Sequence, residues 1–203
     1  MRPRLNQCRC SSSYSLVKEG GLQGFTGTES SFSSLIKQTK EEPKVRFKVL
    51  NLTLSFFLLL SPNAKADCFK TVGEKFHIEP LLLRAIADKE SNLYNHAINH
   101  SNKNHTEDVC MMGINSSHFQ ELKRFGITRQ RLLKEPCVCV AAGAWILNGF
   151  FRKYGRSWNT VGMYNTGNNP GIAGIRIRYA NSVHFIYERL EKEEGVWKDP
   201  FSY

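Results

Sequence analysis

No Cys-x-x-Cys pair occurs among the six cysteines of this 203-residue chain, which argues against a zinc ribbon or a thioredoxin-type redox site. Dense runs of Lys and Arg interleaved with aromatic residues are missing, and with them the footprint of a nucleic-acid binder. The longest apolar-rich run, Val49 to Leu60, has 12 residues, too few to span a bilayer comfortably as a helix. No internal repeat is present. No stretch alternates cleanly enough between apolar and polar residues to predict a large sheet.

The charge that is present is unevenly spread. The chain carries 28 Lys/Arg against 18 Asp/Glu. Residues 1–66 hold 10 Lys/Arg and 4 Asp/Glu, and residues 67–203 hold 18 and 14. The second part is therefore only mildly basic, a balance suited to an anionic polymer or a membrane-proximal surface. Residues 1–43 are rich in Ser and Gly, lack apolar periodicity and read as a low-complexity extension. Lys44, Arg46 and Lys48 then precede the apolar run, and Ala64-Lys65-Ala66 follows it. A basic start, a short apolar core and an Ala-x-Ala site predict a secretory signal peptide over 44–66, cleaved after Ala66. The alternative is an uncleaved anchor. A signal peptide normally opens a chain, so translation is expected to start near Val45, with residues 1–44 an over-long gene reading. Export makes the four cysteines from Cys68 onward two disulfides, and Cys8 and Cys10 then have no structural part. Four cysteines allow three connectivities, among which the sequence does not choose.

Residues 67–203 read as one mainly helical domain. Pro80 suits the first position of a helix running to about Asn92. Residues 93–115 are polar and loop-like, with His96, His100 and His105 bordering a cleft; His96 and His100 are spaced for a metal pair, but a solvated loop is the plainer reading. Asn115-Ser116-Ser117 caps a helix that stops at Gly126, and Thr128 starts a short one. Pro136 opens a long helix, with Ala141, Ala144, Trp145, Leu147 and Phe151 inward, ending at Gly155. Ser157 caps an element over Trp158–Tyr164, and a Gly/Asn/Pro loop covers 166–174. A last helix carries Tyr179, Val183, Ile186, Tyr187 and Leu190.

The stretch with chemical content is Ala85 to Ser91. Glu90 lies seven positions after Leu83 and four after Ile86, which puts a carboxyl on the apolar face of a helix, at its end. Burial and the negative end of the helix dipole both disfavour the ionised form. A carboxyl still protonated near neutral pH is what general acid catalysis needs. The alternative is a glutamate at a frayed end, turned to solvent.

Three separated segments carry a family resemblance. They are Lys89-Glu90-Ser91, then Asp108-Val109-Cys110-Met111-Met112-Gly113-Ile114-Asn115-Ser116, then Met163-Tyr164-Asn165-Thr166-Gly167 followed by Tyr179-Ala180-x-x-Val183-x-x-x-Tyr187. Together they resemble the lysozyme-like lytic transglycosylases, in the order Glu-Ser, Gly-Leu-Met-Gln-(Ile/Val)-Asn, Ala-Tyr-Asn-x-Gly, over nearly all of residues 67–190. The likeness is to small single-domain members that accompany type III and type IV secretion, conjugation and pilus assembly. It implies an α+β lysozyme-like fold, compact, with a substrate cleft beside the end of the Glu90 helix. It also implies a periplasmic enzyme on peptidoglycan that needs no metal or cofactor and meets the membrane only through the signal peptide. Glu90 would protonate the oxygen between N-acetylmuramic acid and N-acetylglucosamine, then deprotonate the muramic acid C6 hydroxyl to give a 1,6-anhydro product. Ser91, Met112, Gly113, Asn115, Tyr164 and Asn165 match substrate-binding positions, the Tyr164 hydroxyl being expected near Glu90. A Tyr-Asn-x-Gly turn that simply caps a helix is the alternative for that motif.

Two positions depart from the pattern. Gly113 stands where glutamine is usual, which removes one sugar contact and lets the backbone approach the glycan closely. Cys110 stands where glycine is usual, which suggests a Cys110–Cys139 disulfide and leaves Cys68–Cys137 as the second. Asp108, 18 residues after Glu90, is placed similarly to an aspartate of animal-type lysozymes. It is expected to stabilise positive charge at the anomeric carbon or, as the alternative, to cap a turn. A hydrolase using Glu90 with Asp108 is therefore the second reading of the chain. A glycan-binding structural component, favoured by Gly113, is the third.

Overall fold

The computed structural model describes residues 64–102 and 105–202, together with the single residue Ser33. The expected extension, Ser33 apart, and all but the last three residues of the expected signal peptide lie outside the described residues. Helix α1 (Ala64–Phe76) begins at those last three. It packs on α2 (Pro80–Ser91) and on α5 (Pro136–Tyr154). Between α2 and α5 lie β1 (Ile98–Asn99), β2 (Asp108–Val109), β3 (Ile114–Asn115), a 3-10 turn (Ser116–His118), α3 (Phe119–Lys123) and α4 (Arg129–Lys134). After α5 come α6 (Trp158–Thr166), a second 3-10 turn (Pro170–Ile172) and α7 (Ala173–Glu194). The domain is single, compact and mainly α, as expected.

The sequence dictates where α2 starts and stops. Pro80 lacks the N–H that a first helical residue cannot use, and its φ is already helical. The carboxylate of Glu79 accepts from the backbone N–H groups of Leu81 and Leu82. At the other end Asn92 is left-handed (φ 52°) and its N–H returns to the Asp88 carbonyl at 2.8 Å. Between the caps, Leu82, Leu83 and Ile86 are fully buried, each stabilising the fold by about 2 kcal/mol through burial. Two ion pairs, Arg84–Glu194 and Arg189–Asp88, flank the α2·α7 seam at the surface. Exposed pairs contribute at most about 1 kcal/mol each, so apolar burial holds the seam. On α7 that burial comes from Tyr179, Val183, Tyr187 and Leu190, a stripe at helical spacing.

Helix α5 is apolar around its whole circumference from Val138 to Leu147 because it is the central post. Both disulfides leave from its first turns, Cys68–Cys137 to α1 and Cys110–Cys139 to the turn joining β2 and β3.

The reading of 93–115 as loop needs correction. Three two-residue strands form an antiparallel sheet in the order β1-β2-β3. Its register pairs Ile98 with Val109 and Val109 with Ile114; it also pairs Asn99 with Asp108 and Asp108 with Asn115. Paired residues share a face, so Val109 and Ile114 enter the core while Asn99, Asp108 and Asn115 form one polar row. Strands this short leave no alternation to detect. Helix α1 was also missing from the expected elements, although Cys68, Phe69, Val72 and Phe76, all buried, have helical spacing. Helix α6 runs two residues past Tyr164, so that Thr166 belongs to it rather than to the following loop.

Candidate active site

Two glutamates stand at opposite ends of α2, Glu79 buried and Glu90 partly buried, eleven residues or about 16 Å apart along the helix. Only one has chemistry to offer. Glu79 is 2% exposed and spends Oε2 on the helix cap, while Oε1 faces the Lys198 ammonium at 3.8 Å. A cavity of about 300 Å³ lies beside it, lined by Phe69, Leu81, Arg84 and Glu194 among others. The Glu79 carboxylate there is a structural cap.

Glu90 is different. It lies in the last turn of α2, and its pKa is raised from 4.5 to about 7, first by loss of solvent and then by the negative charge of Asp108. A hydrogen bond from Tyr179 and the charge of Lys89 act the other way. The Tyr179 hydroxyl donates to Oε1 at 2.5 Å. Oε2 faces Gly113, only 2.7 Å from where a Cβ on that residue would stand. The carboxyl thus sits in a slot made by α7 on one side and the β2–β3 turn on the other.

The residues expected to bind substrate fall into place differently. Met112 is fully buried, its side chain packed in the core, so that what it can offer a glycan is its backbone. Its carbonyl accepts from the Tyr164 hydroxyl at 2.8 Å, and its N–H lies 3.3 Å from Cys139 Sγ. The Tyr164 hydroxyl, expected near Glu90, pins the turn carrying Gly113, and the Tyr179 hydroxyl bonds Glu90 itself. Gly143 on α5 makes this possible, because a Cβ there would stand 2.5 Å from Met112 Cε and 2.9 Å from the Tyr164 hydroxyl. Ser91 donates to the Met111 carbonyl at 3.0 Å and accepts from the Tyr94 N–H, tying the end of α2 to the same turn. Asn115, expected on the glycan, has both ends of its amide engaged. Nδ2 donates to Thr106 Oγ1 and Asp108 Oδ1, and Oδ1 accepts from the Ser117 N–H. Gly113, expected to let backbone and glycan approach closely, has the Glu90 carboxyl against it. Asn165 is half-buried at the end of α6.

Asp108 sits in the polar row of the sheet. Oδ1 accepts from Asn115 at 2.7 Å, and Oδ2 accepts from Asn102 at 3.0 Å and Asn99 at 3.2 Å. Three side-chain amides fix its orientation. Glu107, its neighbour, forms a two-pronged pair with Arg129 at 2.6 and 2.9 Å, which holds its carboxyl below the usual range. The two adjacent carboxylates therefore divide: Glu107 anchors the sheet to α4, and Asp108 faces the amides.

Tyr179 and Arg176 are the residues that residue-by-residue reading missed. Arg176, 7% exposed, donates to Thr166 Oγ1 and to the carbonyls of Gly167 and Asn169. A cation there suits the negative end of α6 and fixes the segment that follows the Tyr164-Asn165 motif. No spacing rule links Tyr179 to Glu90 across 89 positions. The available signal was the Tyr179-Ala180 stretch, noticed only as part of a motif.

None of the described helices is long and apolar enough to cross a membrane. The model of the transglycosylase SLT domain matches residues 67–183. The chain is 43% identical over 142 residues to invasion protein IagB of Salmonella typhi, spanning 70% of this chain and 88% of that one. It is 38% identical over 129 residues to protein IpgF of Shigella flexneri, spanning 64% and 84%. It is 36% identical over 156 residues to a peptidoglycan-binding-like protein of Escherichia coli O157:H7, spanning 74% and 93%.

Proposed function

Because the chain belongs to the transglycosylase SLT family, we propose that it is a peptidoglycan lytic transglycosylase. The bond it cleaves is the β-1,4 link between N-acetylmuramic acid and N-acetylglucosamine. The observation that carries this reading is the Glu90 carboxyl, raised to about 7 and hydrogen-bonded to Tyr179 at 2.5 Å. At neutral pH a large fraction is protonated, and the proton passes to the bridging oxygen as the C1–O bond breaks. The resulting carboxylate then takes the proton of the muramic acid C6 hydroxyl as that oxygen bonds to C1. Glu90 ends protonated again, no water is consumed, and the product is a 1,6-anhydro sugar. One carboxyl serves both halves. Asp108 contributes a fixed negative charge toward the positive charge that develops at C1.

The second reading is hydrolysis, with Asp108 as nucleophile or as base for water. What favours it is the electrostatic coupling of Asp108 to Glu90. Against the nucleophile role stands the engagement of Asp108 by three amides, which holds it back from a covalent step. Mass spectrometry of purified peptidoglycan digested with the protein distinguishes the readings, because hydrolysis adds water and anhydro formation does not. Anhydro products that persist, at reduced rate, in Asp108→Asn support the lytic reading. Reducing-end products abolished by Asp108→Asn overturn it. Binding to the wall without product from the wild type points to a structural glycan-binding component.

Export fits this substrate. The family match begins at residue 67, directly after the expected cleavage point, which supports the reading of a mature protein exported to the periplasm. Likeness to an invasion protein supports a role in opening the wall locally for a trans-envelope secretion, conjugation or pilus machine.

The Tyr179 hydrogen bond favours the ionised form of Glu90. In a Tyr179→Phe variant the pKa of Glu90 therefore rises further. The limb on which activity falls with rising pH moves to higher pH, and the maximal rate drops as the carboxyl loses its orientation. A pH–rate profile of both proteins checks this; a limb displaced to lower pH contradicts the assignment.

A further inference from the structure

We propose that Arg176 is a positioning residue for the acid: its guanidinium clamps the start of α7 onto the end of α6, and through that clamp it holds the Tyr179 hydroxyl on Glu90. This rests on the reading of Glu90 as the acid, although the geometry that carries it involves no substrate. Of residues 167–178, which join Thr166 to Tyr179, Arg176 is the only one buried. Ile177 beside it is 55% exposed and turned away from the core. Apolar burial on α7 begins at Tyr179 and continues through Val183, Tyr187 and Leu190. The start of the helix, and the loop before it, thus have a polar anchor where the rest of α7 has apolar ones.

The side chain is built into its place. Arg176 lies across α6 at Gly162, where an ideal Cβ would stand 2.6 Å from Arg176 Cγ and 2.6 Å from its carbonyl oxygen. The two helices come this close because position 162 is bare. From there the side chain runs to Thr166, the last residue of α6. Nε donates to Thr166 Oγ1 at 3.2 Å, and Nη2 donates to the carbonyls of Gly167 at 3.1 Å and Asn169 at 2.8 Å. All three acceptors are neutral oxygens. A planar fork of rigid donors can meet them together, which a flexible ammonium cannot.

Tyr179 stands three residues further along α7, on the next turn of the same face. Its hydroxyl donates to Glu90 Oε1 at 2.5 Å. A hydrogen bond weakens steeply once its donor leaves line. If the first turns of α7 shift or fray, Tyr179 moves with them and the carboxyl loses the donor that orients it. A clamp that only adds stability leaves Tyr179 and Glu90 coupled as before; a clamp that positions Tyr179 does not. A double-mutant cycle separates the two cases.

The test is a carboxyl carbon-13 NMR titration of Glu90 in the wild type, Tyr179→Phe, Arg176→Met and the double variant, with initial rates of glycan cleavage on the same folded proteins. Methionine keeps an apolar stalk over Gly162 and removes the fork. The Tyr179 hydrogen bond lowers the Glu90 pKa, so Tyr179→Phe raises the midpoint from its wild-type value. In the Arg176→Met background the same change moves the midpoint by less than roughly half as much. Arg176→Met alone lowers turnover about tenfold, and adding Tyr179→Phe lowers it little further. A midpoint shift of equal size in both backgrounds overturns the proposal, and so does a Tyr179→Phe variant that keeps the wild-type midpoint. Should Arg176→Met not fold, Arg176→Lys decides. Lysine keeps the charge but cannot span the three acceptors, so the Tyr179→Phe shift shrinks there too; a full-sized shift overturns the proposal. Coupling between the two residues in a wild type that cleaves no glycan supports the positioning and removes the enzymatic reading instead.

Discussion

A Glu90→Gln variant is expected to lose glycan cleavage by about 10³-fold or more and, at pH 8, to melt higher than the wild type. Both effects have one source. The pKa of Glu90 is about 7 in the folded protein against 4.5 as its ordinary value. The folded state therefore holds a proton between these pH values that the unfolded state has released, and stability falls as pH rises from about 4.5 through about 7. Above pH 7 the ionised group costs on the order of 2–3 kcal/mol. Glutamine keeps the shape and can still accept from Tyr179, but it carries no charge to desolvate or to repel Asp108. The gain in melting temperature should be several degrees at pH 8 and should vanish near pH 4, where the wild-type acid is neutral in both states. Thermal melts of the two proteins across this range check it. A variant that melts lower than the wild type at pH 8 would show that the carboxylate is stabilised by its surroundings, and the acid role would fall with that result. The trade of stability for function is common at active sites; here it falls on one residue.

How much of this was legible before folding depends on the range of the interaction. Glu90 could be found because its environment is local: Leu83 and Ile86 lie on its own helix face, seven and four residues back. The caps of α2, α4 and α6 were legible for the same reason, since Pro80, Thr128 and Ser157 act within one turn of themselves. The disulfide pairing came only through the family likeness, and the structure contains the same two bonds.

What stayed hidden is long-range. Tyr179 reaches Glu90 from a helix 89 positions away. The amide row around Asp108 depends on the register of three strands too short to alternate. Roles were harder to read than places. Asn115 and Met112 were expected along the glycan because they stand in a glycan-binding motif; the structure adds that the Asn115 amide is held by the sheet and the Met112 side chain by the core. Ser91, at the foot of the acid, holds the Met111 carbonyl. The motif marks what keeps Gly113 and Glu90 together as much as what meets the substrate.

Removing the two disulfides one at a time should separate stability from catalysis. Cys137 and Cys139 are two positions apart on α5, about 200° around the helix, so their bonds leave from nearly opposite sides. Cys68–Cys137 closes a span of 69 residues and ties α1 to the core. By the chain-entropy relation its loss costs about 4 kcal/mol, a large share of a stability of roughly 5–15 kcal/mol. Cys110–Cys139 closes 29 residues, for which the same relation gives about 3.5 kcal/mol. On stability alone the first bond matters slightly more. The second, however, holds the turn whose Gly113 bears on Glu90, and Met112 on that turn lies against its sulfur. A Cys110→Ser/Cys139→Ser variant should therefore lose turnover even at temperatures where it is fully folded, because the turn beside the acid can give way. A Cys68→Ser/Cys137→Ser variant should lose stability to denaturant by a similar amount yet keep the turnover of its folded fraction. Urea melts and initial rates on folded protein read the two quantities separately. Equal losses of turnover in the two variants would mean that the turn is held without its disulfide, by Ser91 and Tyr164 alone.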